Sequence, residues 1–136
     1  MGAPRVSDRA KLLRAFGGNV DVLLRFADLF VDDCPRRLEE MRTALARRDA
    51  AGLEHVAHAF VGSAGYFAGE RAYMAALALE ALARSGDLVR AALACTVLES
   101  EVVRLTRALR KLRRAACDAG RAQAGQRGDA HSGRAT

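Results

Sequence analysis

The chain of 136 residues has no tryptophan, only two prolines, and aromatic residues at just 5% of its positions. It contains no run of about 18 uncharged apolar residues, the length that crosses a bilayer, because Glu80 interrupts the longest candidate, Ala72 to Ala83. The first residues also lack the hydrophobic core of a secretory signal. We therefore expect a cytoplasmic protein with no membrane partner.

Motifs for sulfur chemistry and for phosphate binding are also missing. The three cysteines, Cys34, Cys95 and Cys117, are far apart, and no two of them have the spacing of a metal site or a redox motif. We expect them to be reduced thiols. No glycine-rich loop is followed by Lys-Ser or Lys-Thr, so the protein should neither bind ATP nor phosphorylate itself. No cofactor of its own is expected.

Alanine, leucine and arginine are instead arranged in helical patterns. Apolar residues recur at steps of three and four from Val20 to Leu45 and again from Leu88 to Leu112, which predicts two long amphipathic helices. The first pattern keeps its register through Pro35, so we expect one long kinked helix there rather than two. Since no segment alternates as a strand does, the fold class is all-α.

Two further helices are predicted between these, over residues 50–67 and 70–84. Asp49 is the expected N-cap of the first, and Asp87 caps the long helix that follows the second. The residues of the second that are expected to face inward are Met74, Leu77, Ala81 and Leu82.

Short connections between four amphipathic helices favour an antiparallel up-down four-helix bundle, which we expect over residues 1–116. A short extra helix is predicted over residues 7–16, packed on one end of the bundle. Residues 117–136 lack apolar periodicity, so they cannot bury enough surface to offset the entropy of ordering them. They are predicted to be a disordered, basic, mobile tail.

Positive charge is concentrated near the end of the last helix. The formal net charge is +6, and one stretch carries six cations and no acid: Arg104, Arg107, Arg110, Lys111, Arg113 and Arg114. Such a run is typical either of a solvated outer helix face or of a surface that binds nucleic acid or another acidic partner. Because the run has no aromatic side chain to stack on a base, the solvated face is favoured.

His58 lies on the polar side of the helix predicted over residues 50–67. On a helical wheel with Leu53 at zero, most apolar residues of this segment fall within about 60° of Leu53, whereas His58 falls near 140°. Gly62 and Gly65 follow about one and two turns beyond His58 on the same side. His58 is therefore predicted to point outward beside two positions without side chains.

The two glycines need an explanation, because glycine in an exposed helix interior is less stable than alanine by about 1 kcal/mol. One explanation is that they clear a flat space in which another macromolecule can reach the imidazole. The other is that they allow close packing between helices. A histidine ring suits a nucleophilic role, because its reference pKa of about 6.5 leaves it largely neutral at cellular pH.

A metal site at this position is not expected. His55 lies one turn before His58, and two histidines at this spacing can share a metal ion. An open zinc site needs about three protein ligands, and only Glu54 is available as the third.

The segment AHAFVGSAGYFAG, followed by ALALEALARSGDL, resembles the motif of the histidine-containing phosphotransfer (Hpt) domain. The resemblance extends from about Leu12 to Leu112, and it implies a four-helix bundle with an exposed histidine in the middle of a helix. The residues at the motif positions are His58, Gly62, Ser63, Ala64, Leu79, Glu80 and Arg84.

The resemblance implies a phosphocarrier in a two-component phosphorelay. His58 would accept a phosphoryl group through Nε2 from an aspartate of a receiver domain and later pass it to another receiver. Response-regulator receivers or a hybrid histidine kinase would be the partners, and the receiver would supply an acidic pocket and Mg²⁺. The partner surface around His58 would comprise Glu54, His55, Val61, Gly62, Gly65 and Arg84.

Two features depart from the family pattern: the usual glycine of the loop stands one place late, with Ala68 before Gly69, and a lysine is missing. The family's lysine three residues after the histidine, whose charge lies beside the phosphoryl group, is replaced here by Val61. Either another cation takes over this role, with Arg84 the first candidate, or phosphorylation is weak and the protein is an adaptor that docks receiver or kinase domains. A basic helical protein that binds nucleic acid through residues 104–114 is the remaining alternative.

Overall fold

Four α-helices make up the structure, a computed structural model that describes residues 13–14, 16–67 and 69–132, with side chains up to residue 125. The described residues contain no β-strand. Each helix is joined to the next by a short connection, which favours antiparallel neighbours. The helices are α1 (Val20–Ala46), α2 (Ala50–Tyr66), α3 (Glu70–Arg84) and α4 (Leu88–Ser132).

The four helices pack in a ring, in which α1 and α3 each contact both α2 and α4. Ion pairs show that α1 and α4 are antiparallel, because Arg42 late in α1 pairs with Glu99 early in α4. Asp28, early in α1, pairs with Arg113 further along α4. The predicted antiparallel up-down four-helix bundle is confirmed, and α2 and α4 occupy opposite corners of it.

Side-chain caps define where three of the helices begin. Asn19, Asp49 and Asp87 each accept a hydrogen bond of 2.9 to 3.1 Å from the backbone N–H three residues later. These bonds satisfy N–H groups that have no partner within the helix. After α3, Gly86 adopts a φ of 78°, a left-handed conformation that glycine tolerates and that ends the helix. The caps predicted at Asp49 and Asp87 are confirmed.

The core follows the apolar patterns of α1, α2 and α4. α1 continues through Pro35 as a single helix, as its register predicted. Burial of large apolar side chains supplies the main driving force for packing the helices together. The largest fully buried side chains are Phe60, Leu23, Met41, Leu53, Leu79, Leu98, Leu109 and Val102.

The prediction of which side of α3 faces inward is wrong for Met74 and Ala81, whereas Leu82 does pack against the core. Met74 is 62% exposed and Ala81 is also exposed, while Leu77 and Leu82 are half-buried. Small residues on the opposite side of α3 allow it to pack closely against its neighbours, so the helix is rotated relative to the prediction. The residues that α3 buries are Ala72, Ala75, Ala76, Leu79, Glu80 and Ala83.

The last helix is longer than the sequence predicted. α4 continues to Ser132, so the boundary placed before residue 117 is not the end of the helix. No proline interrupts this stretch, and an established helix extends at little cost per residue. All side chains from Cys117 to Gly125 are exposed, so this part adds nothing to the core. Its mobility stays a prediction.

The extra helix predicted over residues 7–16 lies mostly outside the described residues. Of that segment, Leu13 and Phe16 pack against the core, and the ring of Phe16 lies 6.0 Å from that of Phe67. Within the described residues, no helix combines the length and the apolar character needed to cross a membrane.

Candidate functional site around His58

α2 presents His58 to the solvent. Leu53, Ala57 and Phe60 on the other side of the helix are fully buried, which fixes the rotation of α2 in the bundle. The side chain of His58 is 77% exposed. The outward orientation predicted from the wheel is therefore confirmed.

One nitrogen of the His58 ring is held by a carboxylate from the neighbouring helix. Nδ1 of His58 lies 2.5 Å from Oε2 of Glu80, a residue of α3 that is only 8% exposed. An ionised carboxylate can only accept a hydrogen bond, so Nδ1 carries the proton and donates it. The lone pair of the neutral ring is then on Nε2, which the fixed Nδ1 leaves available for reaction.

Sequence reasoning assigned Glu80 to the motif but not to the site. The reason is the wrong rotation of α3, which turned Glu80 away from α2. A pattern centred on the small residues Ala72, Ala76 and Ala83 would have placed Glu80 at the edge of the buried face. A charged residue at such an edge indicates a polar partner, because buried carboxylates are rarely left unpaired.

Arg84 connects the two carboxylates of the site. Its Nε donates to Oε1 of Glu54 at 3.0 Å, and its Nη2 lies 3.8 Å from Oε2 of Glu80. The hydrogen bond and charge of Glu54, with the charge of Glu80, raise the pKa of the Arg84 guanidinium, so it stays protonated. A continuous polar network thus runs from Glu54 through Arg84 and Glu80 to His58.

The glycines beside His58 are not needed for helix packing. A methyl group at Gly62 would meet no atom within 4 Å, and one at Gly65 would make an ordinary contact of 3.8 Å with Tyr73. Both positions are exposed. Close helix packing is therefore excluded as the reason for the two glycines. The other explanation, an open surface beside the His58 ring, remains.

The position where the family pattern has lysine holds no charge. Val61 is half-buried and packs against the core. Around His58 the network contributes two carboxylates and one guanidinium, a net negative charge before any phosphoryl group arrives. Arg84 is the cation that the structure connects to the site, but its guanidinium is already paired with the carboxylates of Glu54 and Glu80.

His55 and Glu54 do not form a metal site with His58. His55 is exposed, and Glu54 is engaged by Arg84. In the part of the chain that the structure describes, no group of three or more His, Cys, Asp or Glu side chains could hold a metal ion.

Comparisons with known proteins point to one family. A family model described as "Hpt domain" matches residues 25–124. The structure is similar to the crystal structure of histidine-containing phosphotransfer protein B (HptB) from Pseudomonas aeruginosa PAO1, with a TM-score of 0.73 and 29% sequence identity. This match covers 84% of the present chain and 98% of the other. No curated protein sequence matches the chain.

Proposed function

The chain belongs to the Hpt domain family, and on that premise we propose that it is a phosphorelay carrier whose phosphoacceptor is His58. In this proposal, His58 takes a phosphoryl group from an aspartate of one receiver domain and gives it to an aspartate of another. The observation that carries the proposal is the state of the ring: Nδ1 is bonded to Glu80, and the side chain is exposed beside a glycine with open space around it.

The transfer needs little covalent chemistry from this protein. The lone pair of Nε2 attacks the phosphorus of the aspartyl phosphate, and the bond from phosphorus to the aspartate oxygen breaks with its electrons remaining on the carboxylate. The imidazole gains positive charge in this step, and the carboxylate of Glu80 stabilises that charge through the Nδ1 proton. In-line positioning and neutralisation of the phosphoryl oxygens supply the rest of the rate enhancement.

The receiver supplies what this chain lacks. We expect the acidic pocket and Mg²⁺ on the receiver, because Val61 offers no cation and Arg84 is already bound by Glu54 and Glu80. A phosphoryl group on His58 would lie beside a network of net negative charge, which disfavours its accumulation. The proposed role is therefore transfer between receivers rather than storage of the phosphoryl group.

The adaptor is the second candidate, and one observation favours it. Among the residues that the structure describes, the cation connected to His58, Arg84, is already paired with two carboxylates. In the adaptor, phosphorylation is therefore too weak to matter, while the exposed surface still docks a receiver or kinase domain. The two candidates differ in one measurable property, since the adaptor binds its partner without taking up phosphate.

The test is transfer of radioactive phosphate from phosphorylated receiver domains. We expect label on the protein in an acid-labile, base-stable form, and its loss in His58→Gln. His55→Gln is the matched control, because it removes an exposed histidine one turn away on the same helix. Binding without label supports the adaptor, and label that survives in His58→Gln contradicts the assignment of the phosphoacceptor.

A second incubation tests the expected absence of kinase activity. With ATP and Mg²⁺ but no partner protein, we expect no label on the chain, because the sequence contains no phosphate-binding loop.

A further inference from the structure

An exposed row of apolar side chains runs along the outer face of α4. Val89, Leu93 and Val97 are 79%, 73% and 54% exposed, and each is one turn beyond the one before. The buried side of the same helix is already complete without them, through Ala91, Cys95 and Leu98. Contiguous apolar surface of this kind marks a site where another protein packs.

α3 extends this apolar face. The ion pair between Arg71 and Glu101, with a distance of 3.0 Å, sets the register of α3 against α4 and brings Met74 level with the end of the row. Met74 is 62% exposed. The exposed alanines Ala78 and Ala81 continue the face along α3 without charge. We call this surface, formed by Met74, Ala78, Ala81, Val89, Leu93 and Val97, the α3–α4 face.

We propose that the α3–α4 face is the interface of a homodimer, in which α4 packs antiparallel against α4 of a second copy about a two-fold axis at Leu93. The row is symmetric about Leu93, so this arrangement puts Leu93 against Leu93 and Val89 of each copy against Val97 of the other. A two-fold interface requires such a self-complementary patch. A four-residue spacing also keeps all three side chains on one side of the helix.

Charge favours a second copy over a charged partner on this face. The charged residues beside the row are paired within their own chain: Arg90 lies 3.6 Å from Asp87, and Arg71 and Arg104 lie 3.0 and 3.8 Å from Glu101. Glu99 pairs with Arg42. A nucleic acid or an acidic partner would therefore find no available cation along the row, whereas a second copy offers the same uncharged side chains.

Charge also selects the antiparallel orientation. Four exposed cations near the end of the bundle have no ion pair among the described residues: Arg107, Arg110, Lys111 and Arg114. Parallel packing would place the two sets side by side. In the antiparallel dimer Arg107 lies about 20 Å along the helix from the axis, so the two sets are about 40 Å apart. That separation exceeds the Debye length of about 8 Å at physiological ionic strength.

The proposed dimer leaves both copies of His58 accessible. His58 is on α2, which occupies the corner of the bundle opposite α4. The row on α4, where the two-fold axis lies, is therefore away from the His58 surface, although the α3 part of the interface lies closer to it. The dimer does not depend on the function proposed for His58.

The first experiment is sedimentation equilibrium of the full chain up to about 1 mM, a range that detects weak dimers. We expect the mass to approach twice the 14.6 kDa of one chain. Leu93→Glu should weaken the dimer by about 100-fold or more, because it would bury an unpaired charge against its own copy. Leu29→Glu is the control, since Leu29 is 59% exposed on α1 at the other end of the bundle. A wild-type chain that stays monomeric, or an equal effect of the two variants, overturns the proposal.

Cross-linking tests the geometry in a background with Cys117→Ser, which removes the exposed native thiol. With a short bismaleimide, Leu93→Cys should cross-link to itself, and Val89→Cys should cross-link to Val97→Cys only when the two proteins are mixed. Efficient self-linking of Val89→Cys contradicts the antiparallel arrangement.

A third measurement addresses the basic residues themselves. Duplex DNA binding that weakens with salt and with Arg107→Ala, together with a monomeric chain, would assign this side of the molecule to nucleic acid and overturn the dimer.

Discussion

Gly62→Ala should make the protein more stable and less active. Gly62 lies in the middle of α2, and its φ is not in the left-handed region. A methyl group there meets no atom within 4 Å, so the substitution introduces no clash. The full difference in helix propensity should appear, a gain of about 1 kcal/mol in the free energy of unfolding. For a domain of this size, the melting temperature should rise by about 3 °C.

The same methyl group should interfere with a docked receiver. If His58 has the proposed role, a partner brings its phosphoryl group into the open space beside the ring. A displacement of about 1 Å between reacting groups can slow a reaction about 100-fold. We expect Gly62→Ala to slow transfer several-fold, and Gly62→Leu to slow it by about 100-fold without loss of stability. Thermal unfolding by circular dichroism and single-turnover transfer from a receiver measure the two effects separately.

Gly52→Ala is the matched control in the same helix. A methyl group at position 52 would lie 2.5 Å from Oδ2 of Asp49, whose other carboxylate oxygen accepts the N–H of Gly52 at 2.9 Å. Displacing this cap lowers the free energy of unfolding by about 0.5 to 2 kcal/mol, which offsets the gain from helix propensity. We therefore expect little net stabilisation and an unchanged rate of transfer. If Gly62→Ala is destabilising, or if Gly62→Leu transfers at the wild-type rate, the interpretation of the open surface is refuted.

Three further predictions concern the charges and thiols of the molecule. Glu80→Gln should slow transfer by about 10- to 100-fold, because a hydrogen bond to a charged group contributes about 1.5 to 3 kcal/mol. ¹⁵N NMR should show loss of the preference for a proton on Nδ1 of the His58 ring. Val61→Lys should raise the phosphorylated fraction at equilibrium, measured on Phos-tag gels, because it adds a cation beside the phosphoryl group. Burial raises the pKa of Cys34 to about 12 and that of Cys95 to about 11, so both thiols stay protonated at about pH 8. Ellman's reagent should therefore react with Cys117 alone until urea exposes the other two cysteines.

Each of these predictions has a comparison that could contradict it. Glu99→Gln removes a carboxylate that pairs with Arg42, and it should change neither the transfer rate nor the tautomer. Val61→Leu should leave the phosphorylated fraction unchanged, so an equal rise in both variants would mean that charge is not the cause. More than one reactive thiol in the folded protein would show that the core opens more readily than its burial implies.

Local patterns were sufficient to predict most of the secondary structure. The caps at Asp49 and Asp87 and the continuity of α1 through Pro35 follow from residues close together in the chain. The orientation of His58 was also predictable, because one helix with a clear apolar side has a single way to face the core. The family followed from a motif of seven positions in two consecutive helices.

The rotation of α3 and the partner of His58 could not be read from local patterns. α3 is rich in alanine and leucine on several sides, so its apolar pattern alone does not distinguish the buried face from the exposed one. Packing against α2 and α4 makes that choice, and it turns Glu80 toward His58 while leaving Met74 in the solvent. The pairing of residues 22 positions apart depends on how two helices fit together, a property of volumes and contacts between segments. Periodicity within one helix holds no information about it.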